Sequence, residues 1–154
     1  RAAVVARWQI QHALHRQEAK PQLEPKVHIR LIGHSGGGAL AVLLASGRTD
    51  ITCLITVAAP LDTTAWTGLQ KLSPLRASLN PATPSPRLAS IAQTHWFGTQ
   101  DRVVPPASIG AYAKHNLGPR GDVRVVDGYD HRLHWVQSWP RLLAESCRTN
   151  TAAR

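Results

Sequence analysis

The chain has 154 residues, 43% of them hydrophobic, and carries 18 Lys and Arg against 9 Asp and Glu for a net charge of +9. That is one domain's worth of sequence with enough apolar mass for a packed core, which excludes a disordered chain, and no stretch approaches the roughly 18 apolar residues that span a bilayer. The basic residues stand singly (Arg16, Arg30, Arg48, Arg76, Arg87, Arg102, Arg120, Arg132) with no run interleaved with aromatics, so the charge reads as a solvated surface and no nucleic-acid partner is expected.

From the N-terminus, Ala2–Ala19 places Ala6, Ile10, Ala13 and Leu14 at helical spacing with Arg7, Gln11 and Arg16 elsewhere on the wheel, which predicts an amphipathic helix. Lys20-Pro21 and Glu24-Pro25 end it. A strand is predicted over Val27–Ile32, stopped by Gly33, and an Ala/Leu-rich helix over Gly36–Ser46 with Gly47 as its stop. Ile51–Ala58 is apolar and β-branched throughout, as in a parallel strand buried on both faces. Pro60–Arg87 is too long and too apolar for a turn and reads as a lid or cap excursion. A third strand over Ile91–Phe97, a short helix over Ala107–Asn116, a fourth strand over Asp122–Val126 and a last helix over Pro140–Arg148 complete the chain, with Pro140 placed at a first helical position. Cys53 lies in the second strand and reads as a small buried hydrophobe; Cys147 falls in the last helix. Two separate thiols are favoured over a disulfide, and no Cys/His spacing suits zinc, so no metal is expected.

Strands alternating with helices imply a parallel sheet, and in such sheets chemistry collects outside the carboxyl ends of the strands. Ser35, Asp101 and His131 fall at three of those ends. Gly33-His34-Ser35-Gly36-Gly37 matches G-x-S-x-G with a strand before it and an apolar helix after it. The sharp turn between them strains the backbone of Ser35, requires small residues at Gly33 and Gly37 where a Cβ would clash, and lifts the hydroxyl above the sheet. It also sets the Gly36 N–H at a helix start, facing a developing oxyanion. His34 reads as shaping the turn. A phosphate loop would want a Lys after the glycines, and none follows.

A serine hydroxyl needs a base, and the base needs a carboxylate to orient it. His131, just after the last strand, is the leading base, with His134 as rival. Asp101, followed by the stiff segment Arg102-Val103-Val104-Pro105-Pro106, is the leading acid. Asp62 is the alternative, although Thr63-Thr64 beside it suit a helix N-cap equally. Asp127 and Asp130 lie too near His131 in sequence to be preferred.

The segment IRLIGHSGGGALAVLLA resembles the nucleophile elbow of the α/β-hydrolase fold superfamily, FGTQDRVVPP is similar to its acid loop, and VVDGYDH to its histidine loop. The order Ser, Asp, His agrees with that family, and the resemblance runs from about Val27 to Leu143. It implies an α/β fold: a mostly parallel sheet with flanking helices, the C-terminal portion of a hydrolase fold, so that residues 1–154 form a partial domain with 60–87 as its lid or cap. It further implies a bacterial esterase- or lipase-like serine hydrolase acting on a small-molecule ester or acyl substrate, with no cofactor. Trp66, Leu69, Leu72 and Leu75 then read as apolar substrate contacts. Acyl transfer or thioester cleavage would use the same residues, and a non-catalytic hydrolase-like binding module or truncated fragment is the alternative.

Two features depart from the family. Its first four strands, with the loop carrying a second oxyanion donor, are expected from a longer chain. Because one such donor is worth on the order of 10²–10³ in rate, this chain alone is expected to be nearly inactive. The first residue is Arg1 and the chain holds no Met, so no compartment follows, and bacterial cytoplasm and envelope both fit. Second, His28 and Arg30 interrupt the first strand's apolar pattern, as side chains reaching out from a sheet edge would.

Overall fold

In the computed structural model, which describes residues 28–148, Ile51–Val57 forms a strand (β2) in which every residue but Thr52 is buried. A strand can be apolar on both faces only between two neighbours and beneath two layers. Its neighbours are Ile29–His34 (β1) and Ala92–Gly98 (β3), both parallel to it, and β3 in turn pairs in parallel with Gly121–Val126 (β4). The order β1-β2-β3-β4 follows the chain. The helix expected over 2–19 and the predicted strand start at Val27 lie outside the described residues.

Strands that step in one direction need all their crossovers on one face to stay right-handed. The crossover helices are Gly36–Gly47 (α1), Thr63–Leu69 (α2), Pro86–Ser90 (α3) and Gly110–Asn116 (α4), the last preceded by a 3₁₀ turn over Pro106–Ile109. Ala41, Val42 and Ala45 of α1, Leu88 of α3 and Tyr112 of α4 share one core with Leu54 and Phe97 of the sheet. The helix Trp135–Glu145 (α5) closes the other face, where Trp135 and Leu142 pack with Ile55, Val57 and Trp96. Period-two alternation sorts the strand residues between the two faces: Leu54 against Ile55, Phe97 against Trp96.

Three expectations change. The first strand runs to His34, two residues beyond its predicted end, and it is an edge of the described sheet with Arg30 and Ile32 exposed, which accounts for its interrupted pattern. The last helix begins at Trp135, and Pro140 lies inside it, not at its start. Trp135, Trp139, Leu142 and Leu143 recur at helical spacing and pack on the sheet. That burial outweighs the one backbone bond a proline removes. Finally, Cys53 and Cys147 are joined in a disulfide with Cα atoms 5.9 Å apart across a sequence separation of 94. The sheet alternation points Cys53 toward the α5 face, where the Cys147 N–H donates to Thr94 Oγ1 at 2.9 Å and brings the second sulfur alongside.

The 60–87 excursion is tied at its base by two asparagines. Asn80 accepts from the Thr63 N–H (3.1 Å) and the Ala82 N–H (3.1 Å) and donates to Asp62 Oδ1 (3.2 Å). Asn116, fully buried at the end of α4, donates to the carbonyls of Pro81 and Thr83 and accepts from the Ser85 N–H at 2.8 Å.

Candidate active site

Ser35 stands alone between β1 and α1, with φ 52° and ψ −129°. A left-handed φ is unfavourable for any residue with a Cβ, and here neighbours on both sides hold it. The Ser35 N–H donates to the Val57 carbonyl at 2.9 Å, and its own carbonyl accepts from Gly38 at 2.9 Å. A Cβ on Gly33 would lie 2.3 Å from the Gly37 carbonyl oxygen, so the expected tightness at Gly33 is present. At Gly37 it is not: a Cβ there meets nothing within 4 Å. The crowded glycine of the helix is Gly38, whose Cβ would fall 2.5 Å from that of Ala59, because this residue faces the end of β2. Gly36 is the first residue of α1, so no carbonyl of its own helix can reach its N–H.

His131 reaches Ser35 from the loop after β4, with Nε2 3.0 Å from Ser35 Oγ. Its Nδ1 lies 2.9 Å from Asp101 Oδ2. The other carboxylate oxygen of Asp101 accepts the Val103 and Val104 N–H groups at 2.8 and 2.7 Å. The Asp101 side chain is fully buried and that of His131 only 14% exposed, so water competes little for these bonds. A carboxylate can only accept, which fixes the proton on Nδ1 and leaves the Nε2 lone pair facing the serine hydroxyl. The two loops are held at close range: a Cβ on Gly98 would lie 2.1 Å from the Tyr129 carbonyl oxygen, and the Gln100 N–H donates to that oxygen at 2.9 Å.

The rival residues are engaged elsewhere. Asp62 caps α2 by accepting from the Thr64 and Ala65 N–H groups at 3.0 and 3.2 Å. His134 precedes α5 in a left-handed conformation and packs its ring 5.4 Å from that of Tyr129. Asp127 accepts from Thr99 Oγ1, and Asp130 accepts from the N–H groups of Arg132 and Leu133, which hold its carboxyl below the usual carboxylate range. His34 does more than shape the turn. Its Nε2–H donates to the His131 carbonyl at 2.9 Å, with ring centroids 5.2 Å apart, and so ties the serine turn to the histidine loop. Sequence carried no signal for that contact beyond the position of His34 beside Ser35.

Ser35 and Gly36 line a largely apolar cavity of about 520 Å³ whose walls include Leu40, Leu43, Trp66 and Leu79. Trp66 is oriented by its indole N–H, which donates to the Val103 carbonyl at 2.7 Å. Of the other expected contacts, Leu75 lines the cavity, whereas Leu69 and Leu72, 51% and 52% exposed, lie outside this lining. No comparable bond directs Leu69, the last residue of α2.

Among solved structures, the chain aligns with α/β hydrolase domain-containing protein 10 from mouse at 18% identity and a TM-score of 0.59, over 87% of this chain and 64% of that one. It aligns with an α/β-hydrolase enzyme from the metagenome of lagoon sediments at Mar Chica, Morocco, at 18% identity and a TM-score of 0.57, over 93% and 68%. The fold is that of the α/β-hydrolases. The esterase domain of a Rhodothermus marinus protein is a further structural neighbour, at 16% identity and a TM-score of 0.51, over 66% of this chain and 52% of that one. The chain therefore spans between about half and two thirds of the length of these structures. No family model and no curated protein matches the sequence.

Proposed function

We propose that this chain carries the reacting residues of a serine hydrolase that cleaves a carboxylic ester through an acyl-serine intermediate. The observation that supports this reading is the continuous hydrogen-bond chain Ser35 Oγ–His131 Nε2, His131 Nδ1–Asp101 Oδ2. As Ser35 Oγ attacks the ester carbon, His131 takes its proton, and the buried Asp101 carboxylate stabilises the imidazolium that forms. The Gly36 N–H, at the positive end of α1, faces the developing oxyanion. Collapse of the tetrahedral intermediate returns the proton from His131 to the leaving alcohol oxygen. Water, deprotonated by the same nitrogen, then releases the acid and restores Ser35. The apolar cavity beside Ser35 suits a hydrocarbon acyl group, with Trp66 as one wall.

Labelling with a fluorophosphonate probe tests the reading. A version extended upstream, which supplies the second oxyanion donor, is expected to be labelled more strongly than this chain alone, Ser35→Ala to lose all label, and His131→Ala to slow labelling by several orders of magnitude; loss of the base in a comparable site costs about 10⁶ in turnover. Labelling that persists in Ser35→Ala, or no labelling of either this chain or the extended version, would instead leave a hydrolase-shaped binding module.

A further inference from the structure

The serine and the histidine open onto different spaces. Ser35 lines the apolar cavity, whereas His131 lines a second, more polar cavity of about 730 Å³ with Thr99, Gln100, Arg102, Asp130 and Arg132. Val103 borders both, so the two spaces adjoin at this residue, and the Ser35–His131 hydrogen bond joins a lining residue of one to a lining residue of the other. On the reading proposed above, the chemistry divides an ester between them. The acyl carbon must bond to Ser35 Oγ, while the departing oxygen must come within hydrogen-bond reach of the His131 nitrogen that protonates it.

The His131 cavity is cationic. Arg102 and Arg132 border it, and among the described residues neither guanidinium takes part in an ion pair. Their backbones are fixed: the Arg102 carbonyl accepts from Gln70 Nε2 at 2.6 Å, and the Arg132 N–H donates to Asp130 Oδ1 at 2.8 Å. The one carboxylate in the lining, Asp130, already accepts two backbone N–H groups through that same oxygen. Two arginines therefore border the space against a single carboxylate that is already committed to backbone N–H groups. Planar guanidinium groups pair with oxyanions through parallel N–H bonds.

We infer that the alcohol side of the substrate carries an oxyanion, a carboxylate or a phosphate, received by Arg102 and Arg132, while an apolar acyl group occupies the Ser35 cavity. The substrate class is an acyl ester of an acidic alcohol.

The test compares 4-(butanoyloxy)benzoate with its neutral isostere 4-(butanoyloxy)benzamide, and phenyl phosphate carrying the same acyloxy group with its neutral dimethyl ester. Rates are normalised to hydroxide-catalysed hydrolysis. The anionic member of at least one pair is expected to be favoured roughly tenfold in kcat/KM at low salt, the scale of two exposed charge-assisted contacts, with the ratio shrinking as ionic strength rises. Which pair responds identifies carboxylate or phosphate. The double variant Arg102→Gln/Arg132→Gln should bring the ratio toward one. Lys114→Gln/Arg120→Gln removes the same charge from exposed positions distant in sequence from this lining and should leave the ratio in place. A parent ratio of one in both pairs, or a preference that survives the first double variant, overturns the inference. Titrating Ser35→Ala with the same esters reads the preference without turnover. Selective binding without Ser35-dependent hydrolysis in either this chain or a version extended upstream would then sink the hydrolase reading and keep the anion site.

Discussion

His95 stands fully buried in the middle of β3 and is pushed down to about pH 3 in its titration by loss of solvent. It is kept neutral by a closed set of bonds. Gln93 Oε1 accepts from His95 Nε2–H at 3.0 Å and from the Tyr112 hydroxyl, which leaves His95 Nδ1 to accept from Thr56 Oγ1 at 2.8 Å. The unfolded chain binds a proton near the ordinary histidine value of about 6.5, and the folded chain does not until about 3. Between those values the unfolded state holds more protons, so stability falls as pH falls, by about 1.4 kcal/mol per unit from this group, and is unaffected by it above that window. Urea denaturation at pH 7, 6, 5 and 4 should show this slope in the parent and a shallower one in His95→Met; parallel slopes would contradict it. Sequence placed His95 in a strand without revealing that it is a satisfied core residue, because its partners Thr56 and Tyr112 are distant in the chain. The same is true of His34, whose contact spans 97 residues. That Ser35, Asp101 and His131 come together was legible for the opposite reason: each lies in the loop that follows a strand, and parallel strands bring their carboxyl ends to one rim.

For whole elements, the strand-turn-helix around Ser35 was legible in kind and not in detail. The pattern announced a sharp turn between small residues, yet it does not say which glycine meets a neighbour. Gly38→Ala should destabilise the protein and disturb the turn, since its methyl would fall 2.5 Å from the Ala59 Cβ. Gly37→Ala should be neutral or add about 0.5–1 kcal/mol, because that position in α1 opens to empty space and loses glycine's backbone entropy cost. Thermal midpoints of the two variants check the contrast, and a larger loss at Gly37 would reverse it. The start of α5 misled for a related reason. Pro140 on its own suits a first helical position, whereas the stripe of Trp135, Trp139 and Leu142 that packs on the sheet decides the helix.

Across the molecule, the number and order of strands could be read from alternating patterns, and the covalent closure of the chain could not. The disulfide from β2 to the residue beyond α5 spans 94 residues, and two isolated cysteines carry no framework spacing. Closing a loop of that size removes unfolded-state entropy worth about 4–5 kcal/mol. Reduction, or Cys53→Ala/Cys147→Ala, should therefore lower the urea midpoint substantially while leaving the far-UV circular dichroism of the native state in place at low denaturant. An unchanged midpoint would mean the bond is not formed in solution. Such bonds persist in oxidising compartments, so yield of the folded protein should rise when it is produced in one.

Asn80 and Asn116 give the 60–87 segment a fixed neck and a loose crown. Below, amide side chains staple both of its limbs to Asp62, Thr63 and α4. Above, between Lys71 and Leu79, short-range turns such as Arg76 N–H to Pro74 and Ser78 N–H to Leu75 hold the chain. Leu75 and Leu79, which line the Ser35 cavity, are thus carried on a stretch held by short-range hydrogen bonds, whereas Trp66 on the same lining is tied to the Val103 carbonyl across the segment's base.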